Sequence, residues 1–205
     1  IYNTVTYTAG IPSVNVNSLI YLGGTHIVNY SCNPLAQTLN YNCINSVSIS
    51  FGSATGLFAF NRLALLGVVA PGNSLNLHVG GNFNISGPAT GEFNSNNGTG
   101  NEVIDIDGTM SILNGNNYFN VVPNNLSNGH SVLLTIGGGL SVSGGNSVLS
   151  SETGNLTAQI SGNFQQSGGV LSLKSATGRA SMLINGTTSV SGGTLYFQQN
   201  IAVAS

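Results

Sequence analysis

The chain has 205 residues, of which only 4% are charged, against roughly 25% in a typical soluble domain, and its net charge is −2. Its three Lys plus Arg (Arg62, Lys174 and Arg179) cannot form a basic patch, which excludes nucleic acid and anionic membrane as electrostatic partners. The longest apolar run, Leu63 to Ala70, is too short for a membrane-spanning segment of about 20 residues.

Residues 1–70 show short alternations at Val5/Tyr7, Val14/Val16, Val47/Ile49/Phe51 and Phe58/Phe60, so strands are expected, but the turn punctuation drifts. This part reads as irregular N-terminal β coils or a cap. Cys32 and Cys43 fall within it. In an exported protein they are expected to pair as a disulfide closing a local loop, the alternative being two buried free thiols.

From residue 71 the chain repeats, and periods in the 20–50 range mark stacked architectures. Ile160 to Gly169 and Ile184 to Gly193 share one frame, as does Ile136 to Gly145, and degenerate copies start at Ile106 and Val79. The equivalent glycines are Gly81, Gly108, Gly138, Gly162 and Gly186, at intervals of 27, 30, 24 and 24. Within a copy the apolar residues alternate, which is the period of a half-buried strand. The pairs Gly144–Gly145, Gly168–Gly169 and Gly192–Gly193 then mark turns, where glycine's access to φ > 0 is useful. Strand, glycine kink, strand, Gly-Gly turn and strand in about 24–30 residues describe one coil of an all-β parallel β-helix (a β-solenoid). Stacking would place Val79, Ile106, Ile136, Ile160 and Ile184 in one interior ladder, and Phe83, Met110, Leu140 and Phe164 in the next. Gln166 falls in the column of Ile85, Ile112, Val142 and Val190, so it is expected inside or at a corner with its amide hydrogen-bonded. Residues 71–205 are read as regular β-helix repeats that continue beyond residue 205. The start at Ile1 without Met suggests a processed or excised piece.

Chemistry-bearing residues are few. Glu102, Asp105 and Asp107 form the only acidic cluster, with Glu92 nearby and Glu152 one repeat on. Ile104 and Ile106 take the inward parity, so Asp105 and Asp107 point outward on one side. That pair suggests three readings: a solvated acidic edge, a calcium site completed by backbone carbonyls, or a carboxylate pair acting on a polysaccharide. His26, His78 and His130 are scattered with no paired ligand spacing and read as surface or corner residues. No Ser, His and Asp arrangement or phosphate loop stands out, so no catalytic residue and no other cofactor is expected. The Asn-rich corners at 94–100 and 123–129 and exposed tyrosines (Tyr21, Tyr30, Tyr41, Tyr118 and Tyr196) are the other contact candidates.

Gly24-Thr25-His26-Ile27-Val28-Asn29-Tyr30, followed by Ala36-Gln37-Thr38 and Val47-Ser48-Ile49-Ser50, resembles a recurrent pattern of large secreted Bacteroidetes surface proteins. The run from Gly162 to Leu173 resembles the β-helical regions of the same proteins and is similar to autotransporter passenger repeats. The resemblance implies export by the type IX secretion route as an adhesin-like or gliding-associated protein of the cell surface. It implies partners among surface glycans, other cell-surface proteins or outer-membrane translocon components. The resulting functional expectation is a secreted structural stalk or adhesin without catalysis. The alternatives are a polysaccharide-degrading β-helix with its site near Asp105/Asp107, or a secretion client bound to its translocon.

Overall fold

Apolar alternation broken by glycine corners produces short strands, and in this computed structural model every strand pairing is parallel, in an all-β solenoid. The structure describes residues 2–7, 13–21, 25–30, 38–50, 57–60, 74–87, 92–94, 101–114, 116–118, 131–150, 154–175 and 177–197. The strands fall into three sheets, here called faces. Face A runs Tyr2–Tyr7, Thr25–Tyr30, Leu57–Phe60, Glu92–Asn94, Asn116–Tyr118, Asn146–Val148, Val170–Ser172 and Thr194–Tyr196. Face B runs Ser13–Val16, Thr38–Cys43, Ser74–Val79, Glu102–Ile106, Val132–Ile136, Leu156–Ile160 and Ala180–Ile184. Face C runs Leu19–Tyr21, Val47–Ser50, Phe83–Ser86, Met110–Ile112, Leu140–Val142, Phe164–Gln166 and Thr188–Val190. Each coil visits A, then B, then C, and the strands before residue 70 join the same three faces as those after it.

The register reproduces the repeat frame read from the sequence. Val79, Ile106, Ile136, Ile160 and Ile184 are successive partners on face B, preceded by Val16 and Cys43. On face C, Phe83, Met110, Leu140 and Phe164 stack in the same way. All but Val16 and Ile184 of these side chains are 0–1% exposed. Each buried aliphatic or aromatic side chain contributes about 1.5–3 kcal/mol relative to exposure. No coil could bury such a face alone, so stability comes from neighbours in the stack. Gln166 lies inside, as expected. Its Nε2 donates to the Thr194 carbonyl at 3.0 Å and to those of Gly168 and Gly169 at 3.4 Å.

The turn from face B to face C takes three residues in the first coil, Val16 to Leu19, and four from then on: Cys43 to Val47, Val79 to Phe83, Ile106 to Met110, Ile136 to Leu140, Ile160 to Phe164. The step from face A to face B varies. It is ten residues from Asn146 to Leu156 and from Val170 to Ala180, but sixteen from Asn116 to Val132.

From Gly81 on, this corner is held by glycine because of space rather than dihedral angle. A Cβ built on Gly81, Gly108, Gly138, Gly162 or Gly186 would lie 2.5–2.8 Å from a backbone carbonyl oxygen of the same corner one coil earlier. The close approach is productive: Gly108 N–H donates to Gly81 O, Gly138 to Gly108, Gly162 to Gly138 and Gly186 to Gly162, at 2.7–3.1 Å. Asn82 Oδ1 accepts from the Thr109 N–H at 2.8 Å, and Asn163 Oδ1 from the Thr187 N–H at 2.9 Å. The backbone donors at these bends are therefore satisfied between coils rather than by water. In the Gly-Gly turns only the second glycine is left-handed, with φ of 75° at Gly145, 68° at Gly169 and 79° at Gly193. Gly144, Gly168 and Gly192 are instead kept small by a backbone carbonyl packed against them.

The disulfide expected at Cys43 is not formed. Cys43 is a free thiol, 0% exposed, in the interior ladder between Val16 and Val79, with Sγ 3.5 Å from the Ser46 carbonyl. Inward parity on a face B strand turns the sulfur to the core, where it packs as a small apolar group. Cys32 lies outside the described residues. Burial pushes the Cys43 thiol above its usual value, while hydrogen bonds involving the Leu19 and Asn45 backbone pull the other way.

Two measurements test this packing. Gly162→Ala is expected to cost about 1–3 kcal/mol in thermal or urea unfolding through overpacking of the corner. Ser161→Ala, at an exposed neighbour, should stay within about 0.5 kcal/mol. For Cys43, a raised native thiol means stability that is complete below the ordinary thiol range and is lost as pH climbs through it. Unfolding temperature should therefore decline above about pH 8.5 less steeply in Cys43→Val than in the parent chain. Peptide mapping after iodoacetamide treatment at mildly alkaline pH should find Cys43 unmodified until the protein is unfolded.

Candidate functional site

One outward column of face B consists of Asn15, Asn42, His78, Asp105, Thr135, Gln159 and Leu183, each the register partner of the next. These residues alternate with buried Leu77, Val79, Ile104 and Ile106, so the fold fixes the two central backbones while leaving their polar side chains outside. Asp107 follows directly, at the start of the B-to-C corner, where its N–H donates to Val79 O at 2.9 Å. Its equivalents one coil before and after are Gly80 and Gly137. The space beside this carboxylate therefore has no neighbouring side chain in its own column.

The outcome is a cluster of three. His78 Nδ1 lies 3.3 Å from Asp105 Oδ2, and His78 Nε2 lies 3.8 Å from Asp107 Oδ2. One ligand-capable atom from each residue falls within 4.8 Å of the other two. All three side chains are about half exposed, at 43%, 47% and 58%. As an ion pair such an exposed contact is worth about 0–1 kcal/mol, too little to account for the stack. Chemically the cluster offers one imidazole nitrogen and two carboxylates to a proton or a cation. Both carboxylates face the same imidazole. A glycoside-cleaving pair would instead flank the sugar from opposite sides.

The sequence placed Asp105 and Asp107 on one outward side, and they are there. It also grouped Glu102 with them, and the structure separates it. Glu102 shares the parity of Ile104 and Ile106, takes a place in the inward ladder between Leu75 and Val132, and is 1% exposed. Reading His78 as an isolated surface residue is also corrected. The signal was present: the 27-residue interval from Gly81 to Gly108 carries His78 onto Asp105.

The other candidates lie elsewhere. Lys174 is fully buried, its ammonium donating to the Gly154 carbonyl at 2.5 Å and to Ser150 Oγ at 3.4 Å. Arg179 is exposed, just before the face B strand that lies three strands along from Asp105. Tyr41, a proposed exposed platform, is buried at 5%, whereas Tyr196 is 38% exposed. The side chains of Glu92, Tyr21, Tyr30 and Tyr118, all of Glu152, His130 and residues 123–129, and the corner from residue 95 to 100 lie outside the described residues. Among the described residues no helix is long and apolar enough to cross a membrane. No protein-family model matches the chain, and no curated protein or solved structure does so either.

Proposed function

We propose that the chain is a rigid, non-catalytic stalk or adhesin segment of a secreted cell-surface protein, which attaches to neutral glycans through the outer side of face C. One observation carries this reading. Two registered columns on face C present uncharged polar groups along the stack. The first is Ser48, Asn84, Ser111, Ser141, Gln165 and Ser189. The second is Ser50, Ser86, Leu113, Ser143, Ser167 and Ser191, of which the last three are exposed serines in succession. Strand geometry spaces such groups about 4.8 Å along the axis and about 6.5–7 Å across it. A flat lattice of hydroxyls and amides suits a partner that is itself an extended, uncharged array of hydroxyls. Each contact would be worth only about 0.5–1.5 kcal/mol, and useful affinity would come from many made at once. The near-absence of charge on this face supports the same partner class. The resemblance to exported Bacteroidetes surface proteins supports secretion by the type IX route, with translocon components as transient partners.

Retention on a panel of insoluble neutral polysaccharides tests the reading. The chain should be retained on at least one of them, insensitively to added salt, and should release no soluble sugar. Ser143→Glu/Ser167→Glu/Ser191→Glu should lower retention at least about tenfold by opposing the lattice with charge, with unfolding temperature preserved. Failure to bind any neutral glycan, equal retention of the triple variant, or release of cleaved sugar would each refute it.

A further inference from the structure

We propose that His78, Asp105 and Asp107 form a three-ligand site for a divalent transition-metal ion of the zinc class, bridging two consecutive coils on face B. The inference is independent of the glycan-binding reading, since the site lies on a different face.

His78 and Asp105 are register partners on adjacent parallel strands, and Asp107 stands two residues on with the same parity. The residues between them are core positions at 0–1% exposure, so the backbones carrying the three donors cannot drift apart without opening the interior. A site pre-set in this way needs only side-chain rotation to close.

The three donors lie close enough to share an ion once their side chains rotate. Zinc binds imidazole nitrogen at about 2.0–2.1 Å and carboxylate oxygen at about 2.0–2.2 Å. Tetrahedral ligands at those lengths are therefore separated by about 3.4 Å. The 3.3 and 3.8 Å contacts use different ring nitrogens of His78, of which an ion takes one; with one donor atom from each residue the set lies within 4.8 Å, and rotation about the side-chain χ angles closes it toward that value. Two carboxylates meet beside an imidazole in a column whose neighbouring members, Asn42 and Thr135, carry no charge. A divalent cation neutralises that pair. Lys174, buried against Gly154, and Arg179, three face B strands away, do not compete for it. Gly80 and Gly137 leave the flank of Asp107 bare, so water or an outside ligand can take the fourth position.

The donor set also selects the ion. Calcium collects six to eight oxygen ligands at about 2.3–2.6 Å, whereas this site offers an imidazole and two carboxylates. Imidazole suits zinc, copper and nickel. Finding His78 in the set therefore moves the expectation from the calcium ion suggested by Asp105 and Asp107 alone to a borderline transition metal.

The test is calorimetric titration of the full chain with zinc chloride in a non-coordinating buffer near pH 7.5, paired with thermal unfolding. One equivalent should bind, and unfolding temperature should rise with free zinc as mass action requires. His78→Gln, Asp105→Asn and Asp107→Asn should each weaken binding at least about tenfold, while the metal-free unfolding temperatures stay close to the parent's. Cobalt substitution should give a visible absorption spectrum that His78→Gln abolishes. Calcium chloride should neither bind with comparable affinity nor compete. Absence of zinc binding, zinc binding unchanged in His78→Gln and Asp105→Asn, or calcium bound in preference would each overturn the assignment. Having the two aspartate variants beside the histidine variant keeps the result decisive if one of the three folds poorly.

Discussion

The backbone approach at the B-to-C corner is the constraint on which the rest of the stack depends. Corner glycines of successive coils hydrogen-bond directly to one another, so the strand spacing of faces B and C continues through the bend without a break. Once that spacing is fixed, each interior column must accept the same position in coil after coil. Isoleucine over isoleucine and phenylalanine over methionine or leucine are the result. The few polar residues admitted inside bring their own solutions. Gln166 does so by donating to the Gly168 and Gly169 carbonyls of the turn that follows it and to the Thr194 carbonyl of the next coil, and Lys174 by donating to Gly154 and Ser150. The outward columns then fall into straight lines as a by-product of the same register. That is how His78 and Asp105, 27 residues apart in the chain, come to be partners.

The fold was legible because two periods in the sequence agree. Alternation assigns each side chain to the inside or the outside, and the glycine interval assigns it to a coil. Together they gave the ladders of Val79 and Phe83 residue for residue. The site was less legible because it was read along the chain. Asp105 and Asp107 are near in sequence, whereas His78 is near them only after stacking, where the 27-residue glycine interval brings it. Glu102 and Cys43 were misread for the complementary reason. Both sit on inward parity, and there position outweighs chemical type: the carboxylate does not join its acidic neighbours, and the cysteine packs as a free thiol. Burial in a continuous ladder decides both placements.

Low charge content carries a physical meaning in this architecture. Stacked identical positions would place like charges about 4.8 Å apart, where they repel along the whole column. Asn, Ser, Thr and Gln avoid that penalty, and some of them gain from repetition. Asn42 donates to Asn15 at 3.0 Å and Asn76 to Asn40 at 2.8 Å, forming amide pairs that continue the hydrogen bonding of the backbone outside the strand. Against this background the two aspartates meeting at one histidine stand out as a local concentration of ionisable groups.

The unequal steps between faces have a consequence for how such a chain can change. The B-to-C corner holds at four residues from Cys43 onward, and from Gly81 onward a backbone carbonyl fills the space that a side chain would need at its glycine. The step from face A to face B already takes ten residues in one coil and sixteen in another without altering any register on either side. The step from face C to face A varies as well, seven residues from Ile85 to Glu92 against four from Ile112 to Asn116, so new sequence can enter along either edge of face A at no cost to the ladders. Segments acquired independently in successive coils would emerge side by side, and distant stretches of the chain could together form one surface.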